Sequence, residues 1–296
     1  MIAVEECFRT RIWTPPARVK NRQLDDGDVF LKIISGGNVH VRLFSPDAHS
    51  NTCRDNTEKR DANLIIYFHG NAEDLSTCES FLSWLSLNTE YDVLCVDYMG
   101  YGRSSGENNT TESNMCVAAD AVLDYALNTL KYKYHTIVVM GRSLGSIPAV
   151  HLASKTDNAG LQGLVLVSGL ASGARCILSS AYVPSVMLTS LDNAFGANIQ
   201  RISGVQCMVL LVHGDHDTEV SLSNSQVLKE RCNGWCHPEL IVIRGGSHNN
   251  IWNMYARQVL KPLTSFLANS KENARLHSCD EAAKTPYSTG CELFEF

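Results

Sequence analysis

The stretch VVMGRSLGS at residues 138–146 decides the fold of this chain. An apolar run ends in a glycine-serine-glycine pattern, which predicts a buried strand that turns sharply into a helix with Ser143 at the apex. So tight a turn strains the apex residue and leaves no room for side chains two positions to either side, where Gly141 and Gly145 stand. The turn also holds the serine hydroxyl at a helix N-terminus, where free amides favour negative charge. The pattern therefore predicts a nucleophilic serine.

Short apolar runs alternate with helical patterns along most of the chain. The runs predict buried parallel strands, and the segments between them predict helices on both faces of one sheet. These runs cover 64–68, 93–96, 137–140, 164–167, 208–212 and 240–243. Ahead of them, β-rich runs at 29–35 and 39–45 flank two glycines and predict a hairpin. The predicted fold class is α/β, with a mostly parallel central sheet, helices on both faces and a short cap.

The same pattern divides the chain into one domain and two flanking segments. We expect an N-terminal extension over 1–28, the α/β domain over 29–269 and a flexible C-terminal tail over 270–296. The last helix is predicted to end near residue 268, because the sequence beyond it is polar and unpatterned. Residues 170–204 lie between two predicted strands without an obvious strand of their own, and we expect them to form the cap.

Composition limits the classes of function. The chain has 296 residues, of which 44% are hydrophobic, which is enough for a large core. Its formal net charge of −6, without a block of Lys or Arg, argues against a nucleic-acid partner. No apolar targeting segment is visible near the start, and the longest apolar runs have the length of strands. The 11 cysteines are scattered and mostly lie in apolar runs, as is typical of a reducing compartment. We therefore predict a cytoplasmic protein.

Ligands of open α/β sheets bind at the carboxyl ends of the strands. In this chain a serine, an aspartate and a histidine follow predicted strands, in that order. Ser143 comes first, an aspartate follows the run at 208–212, and His248 follows the last run. Serine, acid and histidine in this order form the triad of α/β hydrolases. Serine needs a base to take its proton, which the imidazole of His248 can do, and an acid fixes the tautomer of that imidazole.

Two aspartates compete for the role of the acid. Asp217 lies three residues past Gly214 and has the reach, whereas Asp215 sits where the chain is still turning, so we favour Asp217. Alternatively, both residues only shape a turn, which is a common use of aspartate in loops. His213 competes weakly with His248 for the base, because a histidine at the end of a buried strand is more often a satisfied core residue.

Attack on a carbonyl creates an oxyanion, which backbone amides must stabilise. One donor should be the amide of Leu144, the residue after the nucleophile. The second should come from the loop after the run at 64–68, where we favour the amide of Asn71 over that of Ala72. Pro148 is unexpected in a regular helix, where a proline past the first turn costs up to ~3 kcal/mol, and we interpret it as part of the local shape of the elbow.

A metal site is a further hypothesis that the sequence raises. Two groups of residues raise it: one comprises His213, Asp215, His216 and Asp217, and the other Cys232, Cys236 and His237. Adjacent residues at a strand end alternate in direction, so the first group does not converge on one ion. The second group lacks another pair of ligands at the spacing of a zinc site. We predict that the protein uses neither a metal nor a cofactor.

Five motifs in one order resemble the α/β-hydrolase superfamily, in its serine-aminopeptidase-like branch. They are YFHGNA at 67–72, DYMGYGRS at 97–104, GRSLGSIP at 141–148, HGDHD at 213–217 and GGSHN at 245–249. Within that branch the chain is most similar to the eukaryotic α/β-hydrolase-domain subgroup that includes protein depalmitoylases. The resemblance implies Ser143 as nucleophile, Asp217 as acid and His248 as base.

The resemblance also implies a substrate class. A depalmitoylase-like enzyme cleaves an acyl thioester on a protein, so we expect a serine hydrolase of carboxylic esters or thioesters that works through an acyl-enzyme. Enzymes of that subgroup are membrane-associated and carry a cluster of acylated N-terminal cysteines, so the resemblance implies peripheral membrane contact. This chain departs from that pattern, because it has only Cys7 in place of the cluster. Two alternatives stay open: a serine peptidase of the same superfamily, and a non-catalytic member of the fold that binds a ligand or partner.

Overall fold

A computed structural model describes residues 27–34, 36–46, 62–106, 110–155, 161–178, 192 and 196–284. Within these residues, eight strands form one sheet in the order β1-β2-β4-β3-β5-β6-β7-β8. The strands are β1 (Asp28–Lys32), β2 (Asn38–Phe44), β3 (Leu64–Phe68), β4 (Asp92–Val96), β5 (Ile137–Arg142), β6 (Gly163–Val167), β7 (Met208–Gly214) and β8 (Glu239–Ile243). The predicted α/β class with a mostly parallel sheet is confirmed.

The direction of pairing changes once across the sheet. β1 and β2 form the predicted antiparallel hairpin, and β2 also pairs antiparallel with β4. All pairs from β4 to β8 are parallel. The carboxyl ends of β3 to β8 consequently meet at one edge of the sheet, which is the edge where the candidate site residues were expected.

Helices cover both faces of this sheet. They are α1 (Leu75–Thr89), α2 (Glu112–Asp124), α3 (Ser146–Ser154), α4 (Gly173–Leu178), α5 (Asn198–Arg201), α6 (Ser223–Arg231) and α7 (Ile251–Lys284). Successive side chains of a strand point to opposite faces, so the central strand β5 serves two cores. Val138 and Met140 pack with residues of α1 and α7, while Val139 packs with residues of α2 and α3.

The start of α1 is fixed by a capping box, and it matters for the site. The Asp74 side chain accepts a hydrogen bond from the Thr77 amide, and the Thr77 hydroxyl accepts one from the Asp74 amide. The next amide, that of Leu75, donates to the carboxylate of Asp97 at the end of β4 (2.7 Å). These bonds satisfy amides that a helix start leaves free, and they fix the loop between β3 and α1 beside the carboxyl edge.

The last helix is longer than the sequence analysis predicts. We expected it to end near residue 268 and a loose tail to begin at 270, but α7 continues to Lys284. The sequence KENARLHSCDEAAK at 271–284 is rich in good helix formers, so helical propensity continues after the apolar pattern has ended. The first part of the predicted tail is therefore helical.

Several other expectations fall partly outside the described residues. The N-terminal extension, with Cys7, lies almost entirely in the part that the structure does not describe. Of the predicted cap at 170–204, the structure describes α4, Asp192 and the segment 196–204. Among the helices it does describe, none combines the length and apolar content needed to cross a bilayer.

Candidate active site

The turn after β5 has the predicted elbow geometry. Ser143 has a φ of +50°, in the left-handed region that a residue other than glycine rarely adopts, and it opens a 3₁₀ turn that leads into α3. A Cβ on Gly141 would lie under 3.0 Å from the carbonyl oxygen of Gly145, and one on Gly145 would lie equally close to that of Phe68. Glycine is therefore required at both positions by the close approach of backbone.

The expected cost of Pro148 does not arise. Helix α3 begins at Ser146, so Pro148 is its third residue and lies in the first turn. The amides of a first turn have no acceptor within the helix, so a proline there removes no helical hydrogen bond. Pro148 is thus compatible with the local shape of the elbow, where the 3₁₀ turn over Ser143–Gly145 precedes the α-helix.

Three predicted residues from distant parts of the chain meet above the carboxyl edge. The imidazole of His248 lies between the other two, with Nε2 2.9 Å from Oγ of Ser143 and Nδ1 2.8 Å from Oδ2 of Asp217. A carboxylate only accepts hydrogen bonds, so Nδ1 carries the proton and donates it, and Nε2 accepts from the serine hydroxyl. All three residues are buried. The imidazole thus has the tautomer that can take the serine proton.

The carboxylate of Asp217 is held as an anion. Its Oδ1 accepts hydrogen bonds from the amides of Glu219 (3.0 Å) and Val220 (2.8 Å). Burial by itself would raise the pKa of Asp217, but the hydrogen bonds from His213, His248 and the Val220 amide hold that pKa well below its ordinary value. The group is therefore charged at neutral pH, as an acid that orients an imidazole must be.

Asp215, the alternative acid, has a different role. Its Oδ1 accepts a hydrogen bond from the amide of Gly245 (2.7 Å), which ties the loop after β7 to the loop after β8. Gly214 and Gly246 also lie against each other, since a Cβ on Gly214 would lie under 3.0 Å from the Gly246 carbonyl oxygen. These contacts bring the acid loop to the histidine loop, and they leave the contact with His248 to Asp217.

His213 contacts Asp217 and does not take the position of the base. It is fully buried, with Nε2 2.8 Å from the carbonyl oxygen of Val220 and 3.4 Å from Oδ2 of Asp217. Because a carbonyl only accepts, Nε2 carries the proton, and Nδ1 accepts from the hydroxyl of Ser225 (2.7 Å). His213 therefore fixes the loop that carries Asp217. Sequence reasoning placed it in the core but did not foresee this contact.

The loop after β3 lies against the elbow, where a second oxyanion donor was expected. The amide of Gly70 is occupied, because it donates to Oε2 of Glu73 (2.6 Å). The next residue, Asn71, accepts a hydrogen bond on its side-chain oxygen from the hydroxyl of Tyr101 (2.7 Å). This bond orients Asn71 at the start of the loop. Ala72, the lesser candidate, is exposed.

Arg142, directly before Ser143, makes contacts that could not be predicted from the sequence. Its guanidinium pairs with the carboxylate of Glu73 and donates to the carbonyl oxygen of His248 (3.0 Å) and to Oδ1 of Asn249 (2.9 Å). The side-chain Nδ2 of Asn249 donates in turn to Oε1 of Glu219 (2.6 Å), in the loop that carries Asp217. One signal was available: a charged residue at the end of a buried strand needs a partner.

This ion pair joins the buried Arg142 to the partly buried Glu73, and each partner favours the charged form of the other. Burial by itself would lower the pKa of Arg142, but the carboxylate of Glu73 raises it above its ordinary value. Burial would likewise raise the pKa of Glu73, but Arg142 and the amide of Gly70 lower it. Both shifts favour the charged forms, so each member of the pair keeps the other ionised.

Asp97 lies at the same sheet edge and is part of the architecture around the site. Besides the Leu75 amide, its carboxylate contacts Nδ1 of His40 (3.2 Å). A Cβ on Gly102 would lie under 3.0 Å from this carboxylate. Asp97 therefore fixes the loop after β4, which carries Tyr101, close to the loop after β3.

The two groups of potential metal ligands make other contacts. Among the described residues, no three His, Cys, Asp or Glu side chains are arranged to hold a metal ion. Cys236, from the second group, is buried and its thiol donates to the carbonyl oxygen of Val205 (2.9 Å). His213 and Asp217, from the first group, make the contacts described above.

The strand order, the elbow and the serine-acid-histidine order are those of an α/β hydrolase. Residues 63–202 match the family model of the alpha/beta hydrolase fold. Alpha/beta hydrolase domain-containing protein 17B of Homo sapiens is 30% identical over 253 residues, which cover 86% of this chain and 79% of that protein. The chain therefore belongs to the α/β-hydrolase family, in the eukaryotic subgroup of α/β-hydrolase domain-containing proteins. This family membership confirms the predicted resemblance and supports hydrolase activity.

Other similar proteins agree with this assignment. Alpha/beta hydrolase domain-containing protein aho-3 of Caenorhabditis elegans is 32% identical over 203 residues, which cover 69% of this chain and 57% of that protein. The esterase Pf2001 of Pyrococcus furiosus has a similar structure, with a TM-score of 0.64, 19% identity, and coverage of 86% of this chain and 99% of the esterase. Est1E of Butyrivibrio proteoclasticus has a TM-score of 0.60 and 17% identity, with coverage of 82% and 98%. At these identities the structural likeness shows the fold alone.

Proposed function

We propose that the protein is a serine hydrolase that cleaves carboxylic esters or thioesters through an acyl-enzyme on Ser143. The observation that carries this proposal is the position of His248, whose two ring nitrogens lie 2.9 Å from the Ser143 hydroxyl and 2.8 Å from the Asp217 carboxylate. Both distances are those of good hydrogen bonds, and they form in a buried site where electrostatic interactions are strong.

The proposed reaction has two halves. Ser143 Oγ attacks the carbonyl carbon as His248 Nε2 takes its proton, and collapse of the tetrahedral intermediate breaks the bond to the leaving sulfur or oxygen. That leaving group takes the proton from His248. Water then attacks the acyl-enzyme, His248 again accepts and returns a proton, and the carboxylic acid leaves with Ser143 restored.

Two backbone amides complete the proposed machinery. The amide of Leu144 stands in the first turn after the nucleophile, among amides that have no acceptor within the helix. The amide of Asn71 belongs to the loop that packs against the elbow. In this proposal both amides donate to the oxyanion of the tetrahedral intermediate and stabilise its negative charge.

For the substrate, we propose an acyl thioester carried on a protein. The support is membership of the eukaryotic α/β-hydrolase domain-containing subgroup, whose motifs resemble those of protein depalmitoylases. A long acyl chain on a protein would place the substrate at a membrane, so peripheral contact with a membrane and a cytoplasmic location belong to the same proposal. The site needs no metal or cofactor for this chemistry, since the base and the oxyanion donors are supplied by the chain.

Labelling with a fluorophosphonate tests the proposal, because this probe reacts with activated serines. We expect the wild-type protein to be labelled and Ser143→Ala to be unlabelled. Ser168→Ala is a matched control: Ser168 also ends a buried strand with a positive φ of +48°, and among the described residues its hydroxyl has no hydrogen-bond partner. This control should be labelled as strongly as the wild type.

The substrate class is tested on the same three proteins with S-acyl peptides and p-nitrophenyl esters of increasing chain length. A thioesterase of acylated proteins should favour long chains and should release the free thiol. Cleavage of peptide bonds instead would favour the peptidase alternative. A wild-type protein that neither reacts with the probe nor turns over any acyl substrate would be a binding member of the fold.

A further inference from the structure

We propose that the Arg142–Glu73 ion pair is a positioning device that holds the histidine loop and the loop after β3 in register around the nucleophile. Its effect on turnover rests on the proposed function, but its effect on the two loops does not. Arg142 is the residue before Ser143 at the end of β5, so its backbone moves with the elbow. Its guanidinium reaches the other two loops of the site.

The first loop is held through Glu73. One carboxylate oxygen of Glu73 pairs with Arg142, and the other accepts the hydrogen bond of the Gly70 amide (2.6 Å). Gly70 directly precedes Asn71, the proposed oxyanion donor. Because Glu73 spans both contacts, the guanidinium fixes the start of this loop through a single side chain. The Gly70 amide is thereby committed to Glu73.

The second loop is held through the backbone of the base itself. The guanidinium donates to the carbonyl oxygen of His248 (3.0 Å) and to the side-chain oxygen of Asn249 (2.9 Å). The side-chain nitrogen of Asn249 donates to Glu219, so the same side chain also connects the histidine loop to the acid loop. This loop contains two glycines at 245 and 246, which permit many backbone conformations. A contact directly on the His248 carbonyl therefore restricts the residue whose imidazole must stay within 2.9 Å of the Ser143 hydroxyl.

The charge of the pair explains why arginine suits this position. A planar guanidinium presents five donors in a fixed geometry, so it can serve a carboxylate and two oxygens at the same time. Lysine would keep the charge, but its ammonium group could not donate to all three acceptors in the same geometry. Removal of Glu73 alone would leave a buried guanidinium without its counter-ion, so the two residues are expected to act as a unit.

Hydrogen exchange and steady-state kinetics of Arg142→Met and Arg142→Lys test this proposal. In Arg142→Met we expect exchange to rise at least about tenfold in the peptides over 68–75 and 244–251, as local opening becomes easier. We also expect kcat to fall about 10- to 100-fold while KM stays within about threefold, because orientation and not binding is lost. Arg142→Lys should lie between this variant and the wild type.

Two further variants separate positioning from general stability. Arg201→Met breaks another partly buried ion pair, with Glu112 of α2 (2.7 Å), and should lower Tm without changing exchange in either loop or kcat. The double variant Glu73→Gln/Arg142→Met should lose less than the sum of its single losses, because neither change then leaves an unpaired charge.

The outcomes are distinct. Unchanged exchange over 244–251 in both Arg142 variants, or a wild-type kcat in Arg142→Met, would overturn the positioning role. A wild-type protein without turnover or serine labelling would overturn the proposed function alone, since the exchange of the two loops would still decide the role of the ion pair.

Discussion

Gly145 lies directly against the carbonyl oxygen of Phe68, the last residue of β3. Any Cβ at position 145 would lie under 3.0 Å from that oxygen, which is closer than real Cβ atoms come. The nucleophile elbow and the loop of the proposed oxyanion donor are thus in backbone contact. The relative position of Ser143 and Asn71 therefore depends on the absence of a side chain at position 145.

Gly145→Ala should consequently destabilise the fold and impair the site. Overpacking of this kind typically costs about 1–3 kcal/mol, and here the added Cβ would meet the backbone carbonyls of Phe68 and His69, which cannot rotate away. We expect a lower Tm in thermal unfolding and weaker fluorophosphonate labelling. Gly234→Ala is the matched control, because a Cβ there would have no atom within 4 Å. Equal Tm values for the two variants would contradict the close approach.

Asp217→Asn should reduce kcat by about 10⁴-fold, the loss typical of a triad whose imidazole takes the wrong tautomer. The amide keeps the size of the side chain but can present its NH₂ group to Nδ1 of His248. Asp215→Asn serves as the control, since Asp215 bonds the Gly245 amide and not His248. We expect its kcat within about threefold of the wild type. A larger loss in Asp215→Asn than in Asp217→Asn would reverse the assignment of the acid.

Tyr101→Phe tests the contribution of the loop after β3. The change removes the hydroxyl that donates to Asn71 (2.7 Å) and leaves the ring in its buried place. We expect kcat to fall by up to about tenfold, because one hydrogen bond that orients the loop is worth about 1 kcal/mol. Tyr132→Phe removes another buried hydroxyl, which donates to Asp92 at the start of β4, and should leave kcat unchanged. Equal kcat values for both variants would show that Asn71 is held by other contacts.

Acid should weaken the fold through Glu73. Its folded pKa is below its ordinary value of 4.5, so its contribution to stability is complete above about pH 4.5 and is lost as pH falls through the folded pKa. Glu73→Gln lacks this contribution at every pH. The difference in Tm between wild type and Glu73→Gln should therefore be largest near neutral pH and should shrink below about pH 4.5. A constant difference from pH 3 to pH 7 would contradict the lowered pKa.

The sequence predicted the sheet because each buried strand is a short apolar run. It predicted the location of the site because the residues that follow parallel strands lie together at the carboxyl edge of the sheet. It predicted the elbow because one tight turn explains both Gly141 and Gly145, since such a turn leaves no room for a side chain at either position. Asp217 could be preferred over Asp215 from reach along the loop alone. The structure brings Asp217, and not Asp215, to His248.

The contacts that the sequence did not predict are those between side chains of distant segments. Arg142 and Glu73 are 69 residues apart, and nothing in their local patterns links them. The helix end near residue 268 was misplaced for another reason: the apolar periodicity stops there, while good helix formers continue to Lys284. The exact place of Pro148 in the elbow could not be predicted, because a 3₁₀ turn between strand and helix leaves no trace in the apolar pattern.

The most direct test of the central claim is mass spectrometry of the protein mixed rapidly with an S-acyl peptide or a p-nitrophenyl ester. If Ser143 is the nucleophile, a species heavier by one acyl group should appear before steady state, and peptide mapping should place that group on Ser143. His248→Ala should show no such species at the same mixing time. Turnover by the wild type with the acyl group on a residue other than Ser143 would contradict the account.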